Sequence, residues 1–210
     1  MKTEKPDFLL RYEKFGGVIA TEHPPALTFV DQTYVSELGR PASPLWSEDD
    51  DGILSGPIEA HYAITDYCSL GCSGCYMGST DDLSRLNDSQ DDLKRAKDVA
   101  DVLAKMEIFH VALGGGESFG IPWFFDLADY FRSKNIVPNV TTNGHLITAD
   151  IAEKCRVFGQ VNVSLDRVGI DEEGCRPNDH FLAADNAISL LQEQGIRVGI
   201  NCVISRHNYD

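Results

Sequence analysis

The sequence predicts an α/β protein: a parallel sheet or partial (β/α) barrel, preceded by a small β-hairpin/helix extension. Past residue 52, short apolar runs alternate with segments whose apolar residues recur every three or four positions, the rhythm of strands joined by crossover helices. One run, IFHVAL at 108–113, is apolar almost throughout, as buried parallel strands are. The residues with unusual chemistry fall in the loops after successive strands, which such folds gather on one rim.

The first fifty residues stand apart. FGGVIA, the turn-forming EHPPA and LTFVD read as a two-stranded hairpin. QTYVSELG reads as a short helix ending at Gly39, and PASPLWSEDDDG as an acidic linker. A boundary near Gly52 makes 1–52 the hairpin extension with its linker and 53–210 the partial barrel. IEAHYAITD is the first barrel strand and ends at a cysteine cluster. Asp88 or Ser89 can cap a long helix with Leu93, Ala96, Val99, Leu103 and Met106 on its apolar face. IFHVAL then leads into GGGES, and Pro122 suits the first turn of the helix PWFFDLADYFRSK. IVPNVTT is the third strand, ITADIAEKCRVF a short helix and QVNVSLD the fourth strand. HFLAADNAISLLQEQ is a helix closed by Gly195, and IRVGINCVIS the fifth strand. Right-handed crossovers bring the cysteines, GGGE, TTNG and SLD to one rim.

Composition narrows the function. The chain of 210 residues carries 18 basic and 33 acidic side chains, a net charge of -15, and its basic residues are scattered. That distribution argues against a nucleic-acid partner. No apolar run nears the roughly 18 residues of a membrane helix, and MKTEKPDFLLRYEK lacks the apolar core of a signal peptide. The chain therefore reads as cytoplasmic, with no membrane partner. In such a reducing compartment a tight cysteine cluster points to metal binding rather than disulfides.

CSLGCSGC supplies Cys68, Cys72 and Cys75 at C-x3-C-x2-C spacing. Soft thiolates select zinc, copper(I) or iron–sulfur clusters. Structural zinc favours four ligands in two separated pairs, and no second pair is present. A four-iron cluster held by three cysteines leaves one iron open to another ligand.

These residues resemble the cluster motif of the radical S-adenosylmethionine (SAM) enzymes, a resemblance that extends over residues 57–208. It implies a 4Fe-4S cluster on Cys68, Cys72 and Cys75, with SAM bound at the open iron and cleaved reductively to a radical that abstracts a hydrogen atom. Gly115, Gly116 and Glu117 resemble the family's GGE motif, which implies that the Glu117 carboxylate meets the methionine ammonium group. By the same resemblance Asn143 contacts the ribose or methionine moiety and Ser164 offers a cofactor-binding hydroxyl. The resemblance also implies that Arg176 holds the methionine carboxylate and that Gly199 to Val203 lie beside the adenine. Three positions depart from the pattern: Gly74 replaces an aromatic residue, and Arg167 and Pro177 replace glycines.

VSLD, NAISLLQEQG and IRVGINCVISRHN resemble the peptide-modifying branch, which often carries a C-terminal SPASM or twitch region with auxiliary iron–sulfur clusters. The family's sixth strand would follow Asp210, so the chain reads as an N-terminal portion or as one completed by a second chain. The hairpin resembles N-terminal extensions of some peptide maturases; it serves either as a leader-peptide edge strand or as a packing arm. The resemblance implies a ribosomally made precursor peptide as substrate, a separate peptide-recognition protein, and a reductant such as ferredoxin or flavodoxin. The outcome would be a crosslink, an epimerised residue or backbone splicing, and no general base can be named. Two alternatives remain: a radical SAM enzyme acting on a small molecule or a sulfatase-type side chain, and a non-catalytic iron–sulfur or zinc module. Cys155 and Cys202 read as packed residues and Cys175 as a loop position. His61 and His110 read as packed strand residues, and His23, His145, His180 and His207 as surface or loop positions.

Overall fold

In the computed structural model, which describes residues 8–169, 175–206, 208 and 209, the N-terminal hairpin is a three-stranded antiparallel sheet. Its strands are β1 (Phe8–Glu13), β2 (Gly16–Glu22) and β3 (Pro25–Asp31), in that order. Strand β1 escaped the apolar pattern because it buries charge. Arg11 and Glu13, two residues apart and so on one face, are 2% and 1% exposed and paired at 2.7 Å. Arg11 also donates to the carbonyls of Pro57, Gly56 and Glu107, while the Glu13 carboxylate accepts from the backbone N–H and hydroxyl of Ser55. Hydrogen bonds on both partners are what make a buried ion pair tolerable.

One side of this sheet packs Val18 and Ala20 with Phe109, and the other packs Ile19 and Val30 with Val35. Helix α1 (Gln32–Glu37) begins where the Asp31 carboxylate accepts the Tyr34 N–H at 2.7 Å. It gives way to Gly39 at φ +72°, a conformation that favours glycine. The stretch read as a linker packs against the sheet. The Trp46 indole donates to the Gly16 carbonyl, and the Tyr12 hydroxyl donates to the Pro41 carbonyl. Met1–Ile58 with Lys105–Phe109 form one compact unit, and Glu59–Ala104 with His110–Asp210 form the second.

The second unit holds a five-stranded parallel sheet of β4 (Glu59–Thr65), β5 (His110–Gly115), β6 (Val137–Thr142), β7 (Val161–Ser164) and β8 (Val198–Asn201). The spatial order equals the chain order. Its connecting helices are α2 (Gln90–Lys105), α3 (Phe124–Ser133), α4 (Ala149–Lys154) and α5 (His180–Glu193). Strands added successively by right-handed crossovers place the helices on one side. On that side Val111, Leu113, Val140, Val161 and Val163 are buried, as are Leu127, Phe131 and Leu191 of the helices. The opposite face carries Ala63, Ala112, Gly114, Thr141, Asn162 and Ser164, which line an open cleft. Strand β5 is thus buried on one face only, and its other face is small rather than packed.

Helix α2 starts with a reciprocal cap. The Ser89 hydroxyl accepts the Asp92 N–H, and the Asp92 carboxylate accepts the Ser89 N–H. It buries Leu93, Ala96 and Ala100, whereas Val99 and Met106 are exposed, so its apolar face is narrower than the sequence pattern suggests. Pro122 precedes α3 by two residues. No helix among the described residues is long and apolar enough to cross a membrane.

Replacing Arg11 by Met leaves Glu13 buried without its cation and should lower the unfolding free energy by about 3–5 kcal/mol. Urea denaturation checks this, and adding Glu13→Leu should recover most of the loss.

Candidate functional site

Loops following β4 to β7 meet at the carboxyl ends of the strands, around a cleft of about 620 Å³. Its lining includes all nine residues singled out in the sequence: the three cysteines, Gly115, Gly116, Glu117, Asn143, Ser164 and Arg176. Cys175, read as a loop position, lines it too.

The GGE segment lies flat on the chain that enters the cysteine loop. Gly116 N–H donates to the Thr65 carbonyl at 2.6 Å and Glu117 N–H to the Tyr67 carbonyl at 2.8 Å. A Cβ on Gly115 would come within 2.2 Å of the Thr65 oxygen, and one on Gly116 within 1.9 Å of the Tyr67 oxygen. Both positions therefore need glycine. Gly114 differs: nothing lies within 4 Å of its Cβ direction, and it faces the cleft.

Glu117 is 3% exposed and its carboxylate turns into the chain's own loops. It accepts from the Thr142 hydroxyl at 2.8 Å, the Asn143 N–H at 2.8 Å and, more loosely, the Phe119 N–H at 3.3 Å. Burial pushes its pKa up, and those donors only partly offset the shift. A carboxylate accepts about four hydrogen bonds, and the chain itself fills three of those places. Thr142 and Asn143 pass the restraint along the turn. The Thr142 hydroxyl accepts Gly144 N–H, and Asn143 Oδ1 accepts His145 N–H.

The three thiols have different surroundings. Burial raises the pKa of Cys72, and Arg176, whose Nη1 is 4.0 Å from the sulfur, works against it. Burial also opposes ionisation of Cys75, but the backbone N–H groups of Ser79, Met77 and Gly78 together with the Ser79 hydroxyl outweigh it and lower that pKa. Asn143 Nδ2 lies 3.7 Å from Cys68 Sγ. Arg176 is anchored by Asp166 at 2.8 Å, and the other Asp166 oxygen accepts Val203 N–H. The Cys175 carbonyl accepts Ser73 N–H, and a Cβ on Gly74 would sit 2.7 Å from Cys175 Sγ. Glycine at 74 admits this loop.

The sequence misplaced several side chains. His180 is buried, and its Nε2 faces the Ser164 carbonyl at 2.7 Å. A carbonyl can only accept, so Nε2 carries the proton and Nδ1 accepts from His145 Nε2 at 3.1 Å. The two rings stack. Residues 35 apart leave no sequence signal for this pair. His61 is exposed and lines the cleft, 3.6 Å from Glu59. Cys155 is fully buried with its pKa raised to about 12, as expected of a packed thiol, whereas Cys202 is exposed. His207 lies outside the described residues.

Two observations bear on the group this triad would hold. Cys68, Cys72 and Cys75 all line the one cleft, and their soft sulfur donors are of the kind that iron–sulfur clusters take. The buried Ser79 hydroxyl sits beside Cys75 and helps favour the ionised form of that thiol. Both suit a cluster, whose irons take one thiolate each and whose sulfides accept hydrogen bonds.

A parallel α/β sheet with a cysteine triad at its carboxyl rim defines a class of iron–sulfur cofactor proteins. Within it, the chain belongs to the radical SAM superfamily, whose family model matches residues 62–210. Mycofactocin maturase MftC of Mycobacterium tuberculosis is 30% identical over 159 residues, 74% of this chain and 40% of that protein. The AdoMet-dependent heme synthase of Methanosarcina barkeri is 28% identical over 165 residues, 75% of this chain and 46% of the enzyme. Streptococcus suis SuiB, in its crystal structure with precursor peptide SuiA, superposes with a TM-score of 0.68 at 19% identity, covering 100% of this chain and 58% of SuiB. The chain thus spans less than half the length of these two curated relatives.

Gly116→Ala should weaken iron loading by about tenfold or more, the usual scale for disturbing groups that orient metal ligands, whereas Gly114→Ala should load iron and melt like the wild type. Iron and sulfide analysis with thermal unfolding tests the contrast. A second expectation concerns acid. Burial holds His180 below the ordinary histidine pKa, so the unfolded chain binds more protons than the folded one as pH falls through about 6.5. Stability is therefore lost on acidification, and the gap between wild type and His180→Gln should shrink from pH 7.5 to 5.5 in urea denaturation.

Proposed function

We propose that this chain is the cluster- and cofactor-binding core of a radical SAM enzyme that modifies a ribosomally made precursor peptide. The cleft carries the reading: three cysteine side chains stand at the rim of a sheet face lined with small and neutral polar side chains. Cys68, Cys72 and Cys75 hold a 4Fe-4S cluster. Gly115, Gly116 and Glu117 form one wall of the SAM site, Asn143 stands beside Glu117, and Ser164 and Arg176 complete the lining. Held by these residues, a cluster and SAM would supply reductive, radical hydrogen-atom abstraction from the substrate. The chain's own residues bind and orient. GGE presents backbone close to the ligand, the paired Arg176 directs a cation at a carboxylate, and the small residues of β5 leave space for a peptide segment.

A peptide substrate is supported by the similarity to MftC and by the superposition of this chain on 58% of SuiB in its structure with a precursor peptide. The N-terminal sheet is the proposed leader-binding element, with β3, an edge strand of its own sheet, taking up the peptide by strand addition. An additional recognition protein, a ferredoxin- or flavodoxin-type reductant and auxiliary clusters outside this chain complete the proposed system, located in the cytoplasm. Crosslinking, epimerisation and backbone splicing remain the proposed outcomes. The similarity to a heme synthase favours a second reading, a small-molecule substrate.

Anaerobic reconstitution with iron and sulfide, dithionite reduction and addition of SAM should yield 5'-deoxyadenosine from the wild-type chain. Cys68→Ala should lose both the cluster and the product, and SAM cleavage retained by that variant would overturn the assignment. Uptake of one zinc in place of iron would leave the non-catalytic module. Fluorescence anisotropy with a labelled leader peptide separates the substrate classes: binding supports the maturase, and its absence favours a small molecule.

A further inference from the structure

We propose that Asn143 donates a hydrogen bond to the cluster ligand Cys68 and thereby raises the cluster's reduction potential, a role that rests on the radical SAM reading. The chain itself assigns the two ends of this amide. Asn143 Oδ1 accepts the His145 N–H at 2.9 Å, so Nδ2 is the end that faces Cys68 Sγ at 3.7 Å, an ordinary distance for a sulfur acceptor.

Both sides of the contact are restrained by one closed ring of bonds. Asn143 N–H is held by the Glu117 carboxylate at 2.8 Å, and Glu117 N–H is held by the carbonyl of Tyr67, the residue next to Cys68, at 2.8 Å. Asn143 is 9% exposed, and the following Gly144 is at φ +85°, where an added Cβ would come within 3.1 Å of Ala187 and 3.3 Å of Ala184 in α5. These bonds hold the turn against the segment that enters the cysteine loop and so set the distance from the amide to the sulfur. Cys72 and Cys75 draw on other donors, the Arg176 guanidinium and backbone N–H groups.

Adding an electron increases negative charge on the cluster's sulfurs, so a donor aimed at a ligand sulfur stabilises the reduced state more than the oxidised state. Hydrogen bonds to sulfur are among the determinants of cluster potential. Asn143 is here a positioning and tuning residue acting through Cys68, and its second Nδ2 proton is left for a bound ligand.

Asn143→Asp tests the idea, because it keeps an oxygen to accept the His145 N–H and replaces the donor with an acceptor. In the reconstituted full chain, EPR-monitored titration at a fixed ambient potential should show the reduced-to-oxidised ratio falling about tenfold, a shift of about 59 mV for a one-electron couple. Iron content should stay at the wild-type value. A variant with a full cluster and an unchanged potential overturns the proposal. Should the variant load no cluster, pulsed EPR of the reduced wild-type chain decides. A nitrogen coupling that changes on 15N labelling of asparagine side chains supports the contact, and its absence overturns it. Failure of the underlying reading looks different, because the wild-type chain then takes up no iron–sulfur cluster.

Discussion

The buried carboxylate of Glu117 is the constraint on which the site depends. An ionised carboxylate removed from water is costly unless donors surround it, and here the donors come from the turn that follows β6. Satisfying Glu117 therefore draws the Thr142–Asn143 turn against the GGE segment. The GGE backbone lies in turn on the chain entering the cysteine loop. Three loops that are distant in sequence become one hydrogen-bonded rim, and the Asn143 side chain is left facing a thiol. Two glycines make this possible, because any Cβ at 115 or 116 would collide with backbone oxygen.

The sheet beneath that rim has two unlike faces, and the difference follows from connection order. Five strands laid down in sequence by right-handed crossovers leave one side for helices and the other open. On the helix side valines and leucines pack to near-zero exposure, while alanine, glycine, threonine, asparagine and serine hold the other side open. The His145–His180 pair contributes at the far wall. It ties the first residue of α5 to the end of β7 and to the turn carrying Asn143.

In the N-terminal unit the same rule of satisfied burial produces a strand that hydrophobic patterning misses. FLLRYE looks too polar for a strand facing a core, yet Arg11 and Glu13 neutralise each other and reach the carbonyls and N–H groups of residues 55–57 and 107. The guanidinium also lies over the Phe109 ring. Charge can occupy such positions because the backbone around it would otherwise lack partners.

Much was legible before folding. The alternation of elements, the five parallel strands and the cysteine spacing follow from local rules, because side-chain period, capping residues and metal-ligand spacing act over a few residues. The nine singled-out residues likewise sit in loops whose position is set by strand–helix order. Tertiary structure alone decided the relations between them: that Glu117 faces the TTNG turn, that Gly74 makes room for Cys175, that His180 is buried against Ser164, and that Arg11 and Glu13 are core residues. Those contacts join positions up to about a hundred residues apart, and in one sequence nothing marks which distant polar group will complete a buried partner's hydrogen bonds. That pairing exists only once the strands have set the distances.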